Sequence, residues 1–140
     1  RCTPDQVCRY RAKLSGPLLD RIDMTLDVPA LSAAELQGAA DGEPTATVQA
    51  RVIAARSRQI ARQDKANAAL ATAEIDRWCA PDDSGAKLLS AALVRLKLSA
   101  RGYHRVLKLA RTVADLAASE TIGSAHIAEA IHYRRNLGDN

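Results

Sequence analysis

The sequence predicts a mainly α-helical protein, a helical bundle preceded by one short helix and one lone β-strand. Three observations predict it. Of the 140 residues, 28 are Ala and 16 are Leu, which lose little on entering a helix. Aromatic residues number only four (Trp78, Tyr10, Tyr103 and Tyr133) and Phe is absent, which excludes an all-β domain. A single stretch alternates with the period-two pattern of a strand. With 47% hydrophobic residues the chain can build one core but not comfortably two. Small core side chains let helices approach closely while burying less apolar area per residue.

Thr3-Pro4-Asp5-Gln6 is a capping box with Pro at the first helical position, so a helix should run from Pro4 to about Leu14. Ser15-Gly16-Pro17 stops it, and Pro17 opens a short turn to Arg21. Ile22, Met24, Leu26 and Val28 then alternate with Asp23, Thr25 and Asp27 up to Pro29, the one strand pattern. A lone strand cannot satisfy its own backbone groups, so residues 1–31 read as the edge of a truncated sheet-containing core, poorly ordered in isolation. Ser32-Ala33-Ala34-Glu35 caps a short helix that Gly38 ends, and residues 32–45 form a linker around it.

Residues 46–135 carry the bundle. The first helix is expected from Ala46 to about Leu70 without a breaker, with Val48, Val52, Ala55, Ile60 and Ala61 as its apolar stripe. The next covers residues 73–79 and stops before Pro81. Asp82 or Asp83 caps the following one, with Leu88, Leu89, Ala92, Leu93 and Leu96 inward. Ser99 caps a long helix to about Ala118 that buries Tyr103, Val106, Leu107, Ala110, Val113 and Leu116. Ser124 caps the last, from Ala125 to about Arg134, with Ile127, Ala130 and Ile131 inside, and residues 136–140 form a frayed tail.

The net charge of +4 is unevenly placed: −2 over residues 1–45, then +3 over 46–80 and +3 over 81–140. Arg supplies fifteen of the twenty cations, and guanidinium forks match phosphate and carboxylate geometry. Three cysteines, an odd count, argue against a disulfide framework and for a reducing, cytoplasmic setting. No apolar run reaches the ~18–20 residues that a membrane span needs. The chain opens at Arg1 inside a helix-start signal, which reads as a fragment of something longer.

No phosphate loop of the G-x-x-x-x-G-K-[ST] type occurs, and Ser84-Gly85-Ala86-Lys87 lacks the first Gly and the spacing. No apolar strand ends in paired acids, so the chain alone is not expected to be an enzyme. Cys2 and Cys8 supply at most half of a zinc ligand set, and His126, Glu129 and His132 have the wrong spacing for one metal. No metal site is therefore expected. Arg101, Arg105, Lys108 and Arg111 recur at steps of four, three and three, giving a basic stripe opposite the apolar face of the long helix. Arg101 falls in the first turn, where free N–H groups and the helix dipole favour an anion. Arg51, Arg58, Arg62 and Lys65 form a second basic set, and Arg21 sits between Asp20 and Asp23 at the mouth of the strand.

Arg9-Tyr10-Arg11, the run from Leu14 to Asp23, the run from Leu98 to Leu116 and the closing run from Ile122 to Arg134 together resemble the C-terminal part of magnesium-chelatase-like AAA+ ATPases of the bacterial ComM (YifB) group. The resemblance implies the helical lid of a truncated ring ATPase, with the phosphate loop and most of an αβα core upstream. It implies that Asp20-Arg21-Ile22-Asp23 carries an arginine finger acting on the neighbour's ATP, with Arg21 the catalytic residue. It also implies that Ser99-Ala100-Arg101 holds the sensor-2 arginine, with Arg105 beside it at the nucleotide. The helix near 46–70 resembles the insert that precedes sensor 2 in this clade. ATP and Mg2+ are implied for the intact protein and not for this fragment. Its implied partners are neighbouring subunits of a homo-oligomeric ring, a hexamer, and DNA that it remodels by branch migration, with no membrane. Two other readings stand beside this one: a small DNA-binding module using Arg51, Arg58, Arg62 and Lys65, and a structural helical interaction domain.

Overall fold

The computed structural model describes residues 3–11, 13, 18, 21–38 and 42–135. The expected stop at 14–17, the body of the turn before Arg21, Cys2 and the 136–140 tail lie outside the described residues. Helix α1 spans Pro4–Arg11, and its capping box forms in both directions. Thr3 N–H donates to Gln6 Oε1 at 2.9 Å, and Gln6 N–H donates to Thr3 Oγ1 at 3.4 Å. Helix α2 spans Ala33–Gln37.

The bundle comprises α3 (Thr45–Gln63), a 3-10 turn (Asn67–Ala69), α4 (Thr72–Trp78), α5 (Asp83–Arg95), α6 (Ala100–Leu116) and α7 (Ser124–Arg135). Asp82 accepts from Gly85 N–H, and Ser99 accepts from Gly102 N–H, so both capping signals work as the sequence implies. Helix α6 is the hub, packing most extensively on α7 and also on α3 and α4, while α5 closes over α7. The core is aliphatic, mixing Leu, Ile and Val with Ala rather than small side chains alone: Leu70, Ile75, Cys79, Leu89, Val106, Leu107, Ala110, Ala114, Ile122, Ile127 and Ala130 are buried. No described helix is long and apolar enough to cross a membrane.

Four expectations change. Residues 22–32 carry no strand, and Ile22, Met24, Leu26 and Val28 are exposed. The alternation encodes a strand, but a strand requires a partner to complete its ladder. Among the described residues the sole bridge is Pro81 with Ile122. The helix expected to reach Leu70 ends at Gln63, because Asp64 turns left-handed at φ 58° and sends Asn67 inward. Third, the stripe of α3 is not a core face: Val52 and Ile60 are exposed, and α3 meets the bundle through Ala55 and the polar Gln59. Leu88 and Leu116 likewise stay at the surface. Fourth, Arg111 leaves the basic stripe and is 3% exposed, for a reason given below.

Gly85 shows how closely α5 seats against the loop before α7. A Cβ there would stand 2.9 Å from the Ile122 carbonyl oxygen, while Asp82 N–H donates to that same oxygen at 2.9 Å. Gly85→Ala is expected to destabilise the chain by about 1–3 kcal/mol, because the clash is with backbone that cannot step aside. Chemical denaturation of the two chains measures it, and equal stabilities would contradict this packing.

Candidate functional site

The first two turns of α6 build the site. Ser99 Oγ holds Gly102 N–H at 3.1 Å, which fixes the start of the helix and the direction of its amides. Arg101 follows directly, exposed, and its guanidinium makes no hydrogen bond or ion pair among the described residues. Arg101, His104, Arg105 and Lys108 form one wall of an open groove of about 380 Å³, and Leu70, Thr72 and Ile75 form the other. Lys108 Nζ donates to the Ala68 carbonyl at 3.3 Å, tying the groove to the 3-10 turn. His104 rests edge-on against Tyr103, with ring centroids 5.4 Å apart. Arg101 and Lys108 with His104 at a capped helix start suit an anion with several oxygens, which a guanidinium fork can bind in bidentate fashion, while Arg105 is engaged by Asp23.

Arg111 is held at the far end of α6 in a buried polar knot. Asp115, fully buried, accepts from Arg62 Nη1 at 2.7 Å and Nη2 at 2.9 Å, from Asn67 Nδ2 at 2.8 Å and from Arg111 Nε at 3.2 Å. Arg111 spends its remaining donors on the carbonyls of Glu120 and Ser119, at 2.8 and 2.5 Å. Gln59 Oε1 takes Asn67 N–H, and Thr112 Oγ1 takes the second Asn67 amide donor. Burial pushes the Asp115 carboxyl up, but the hydrogen bonds from Arg62 and Asn67 and the charge of Arg111 hold it below its ordinary value. Burial depresses Arg111, opposed by Asp115, while the bond to Asp115 raises Arg62. The knot ties α3 and the 3-10 turn to α6.

The second basic set is engaged within the chain, Arg62 in the knot and Arg51 and Lys65 in surface ion pairs. Arg51 forks onto Glu43 with two bonds of 2.9 Å, Arg58 donates to the Asp115 carbonyl at 3.0 Å, and Lys65 pairs with Glu74 at 2.7 Å. With Arg62 on Asp115, each of the four has an acceptor within the chain.

Arg21 is exposed, and residues 22–25 just after it bond to the bundle. Thr25 N–H and Oγ1 both bond the Tyr133 carbonyl, at 2.9 and 3.1 Å, and Arg134 Nη1 donates to the Ile22 carbonyl at 3.1 Å. Asp23 pairs with Arg105. This attachment of residues 22–25 to α6 and α7 had no local signal, since its partners lie 82 to 112 positions away.

Cys8 is exposed and Cys79 buried, with its thiol pushed up by burial to about 11. His126 Nδ1 accepts from Gly123 N–H at 3.0 Å, which caps the start of α7. No group of three or more His, Cys, Asp or Glu among the described residues could hold a metal ion.

Comparison with known proteins adds to this geometry. The family model described as magnesium chelatase, subunit ChlI C-terminal, matches residues 42–134, and that described as magnesium chelatase, subunit ChlI, matches residues 1–36. The uncharacterized protein YifB of Salmonella typhimurium is 47% identical over 135 residues, which is 96% of this chain and 27% of that protein. The competence protein ComM of Haemophilus influenzae is 45% identical over 96% of this chain and 26% of its own length. An uncharacterized protein of Mycobacterium tuberculosis is 37% identical over 91% of this chain and 26% of its own length. The chain thus spans about a quarter of the length of the relatives it matches.

Proposed function

The chain belongs to the magnesium chelatase subunit ChlI C-terminal family and so to the magnesium-chelatase-like AAA+ ATPases. From that premise we propose that it is the lid and sensor region of a cytoplasmic ring ATPase whose hydrolysis of ATP drives DNA remodelling of the branch-migration type. In this reading the subunits form a hexamer, Arg101 contacts the terminal phosphate of a bound ATP, and Arg21 reaches the ATP of the adjoining subunit. Arg105 stands one turn after Arg101 on the same wall of the groove.

The observation that carries the reading is the Arg101 guanidinium, without a partner among the described residues, at the capped start of α6 in a groove shared with His104 and Lys108. Those residues fit the phosphate end of a nucleotide. The described residues do not fit a resident Mg2+, for want of a ligand cluster, so no step is assigned to the metal. Bound ATP supplies the phosphoryl group. Arg101 orients it and stabilises charge developing on its oxygens, and an arginine delivered from the next subunit makes turnover depend on assembly. Arg51, Arg58, Arg62 and Lys65 are engaged within the chain, so the reading as an independent DNA-binding module is not the one adopted.

Arg101→Ala in the full-length protein is expected to lower ATP turnover by about 10²-fold while the ring still assembles. Steady-state hydrolysis and sedimentation measure the two quantities. Unchanged hydrolysis would remove Arg101 from the nucleotide site.

A further inference from the structure

Arg105 and Arg101 share the groove wall, yet the Arg105 guanidinium is not free: it is paired with Asp23, two residues after Arg21. The pair is half open to water, with side-chain exposures of 22% and 61%, so it contributes little to holding the fold. Two further contacts bracket it. Arg134 binds the Ile22 carbonyl through Nη1, and its Nη2 lies 3.7 Å from where a Cβ on Gly102, the residue after Arg101, would stand. Thr25 is bonded twice to the Tyr133 carbonyl on α7. The short segment 22–25 is thus clamped between the α6 turn that presents Arg101 and the last turns of α7.

We infer that Asp23 and Arg105 form a latch that positions Arg21, so that the arginine offered to the neighbouring subunit moves with the helix that carries Arg101. The inference rests on the proposed roles of Arg21 and Arg101. Arg105 and Asp23 are positioning residues in it. An ion pair suits this role, because an exposed one opens and closes readily and couples two elements electrostatically over one contact. A nucleotide that draws α6 toward its phosphates pulls Asp23, and hence Arg21, along the same path. An occupied site in one subunit is thereby reported to the next.

The test uses the full-length protein and four variants, Asp23→Asn, Arg105→Gln, the double variant, and Arg21→Ala as reference. Each latch variant is expected to lower kcat about tenfold with KM for ATP and Tm unchanged, a size typical of coupling between sites. The double variant should be no worse than either single one, because the second substitution removes nothing that remains. Asp23→Glu, which keeps the charge, should retain most of the turnover, and added salt should weaken the parent more than the double variant. A raised KM in Arg105→Gln alone would overturn the latch by placing Arg105 on the nucleotide, and additive losses in the double variant would overturn it by making the two groups independent. If Arg21→Ala is inactive while both latch variants are normal, the latch fails and the arginine-finger reading stands. If Arg21→Ala is itself normal, the finger reading fails and takes the latch with it.

Discussion

Arg21→Ala in the full-length protein is expected to lower ATP turnover by about 10³–10⁵-fold while nucleotide still binds, the size of effect associated with an arginine that neutralises transition-state charge. The expectation follows from the proposed trans role of Arg21, which is exposed and projects from a segment anchored at Ile22, Asp23 and Thr25. Fluorescent-nucleotide binding and steady-state hydrolysis separate the two halves of the claim. Mixing the variant with subunits that supply Arg21 but cannot hydrolyse should restore turnover, since the finger then comes from the neighbour. Failure to restore it would mean that Arg21 serves its own subunit. Normal hydrolysis by the variant alone would end the assignment.

The largest stability effect is expected at Asp115. Asp115→Ala leaves Arg111, 3% exposed, and the half-buried Arg62 without their shared counter-ion, and should destabilise the chain by about 3–5 kcal/mol. A loss of that size lowers Tm by more than about 10 °C in a domain this small. Arg62→Met should cost less, because the Arg62 side chain keeps 21% of its exposure while Asp115 keeps 1%. Calorimetry on the three chains ranks them, and a mild Asp115→Ala would show that the knot is dispensable.

The pH dependence follows from the same group. The folded Asp115 carboxyl lies below its ordinary value of 3.8, so the unfolded chain binds its proton first as pH falls. Its stabilising contribution is therefore fully present above that ordinary value and is lost as pH drops below 3.8 through the folded pKa. Asp115→Asn should flatten the stability curve in that acid window. The half-buried Glu74 and the exposed Asp82, both lowered by their hydrogen bonds, add slope of the same sign in both chains.

Much of the bundle was legible because its signals are local. Thr3 with Gln6, Asp82 with Gly85 and Ser99 with Gly102 each close within one helical turn. The burial of Val106, Leu107, Ala110, Ile127, Ala130 and Ile131 follows from a 3.6-residue period. Arg101 was legible for the same reason: a first-turn position can be counted from its cap. Arg111 was misplaced because a step of three from Lys108 continues a stripe on paper, whereas Asp115 at i+4 and the Ser119 and Glu120 carbonyls draw it inside.

The sequence by itself determined the helical class, the capped starts of α1, α5 and α6, and the position of Arg101 at the head of α6. Periodicity and capping act within a few residues and need no knowledge of what lies across the fold. Only the tertiary structure decided which cations remain available, that Arg62 and Arg111 share Asp115, and that Asp23 meets Arg105. Charge pairing depends on distance in space, and the acceptor for Arg62 stands 53 residues further along the chain.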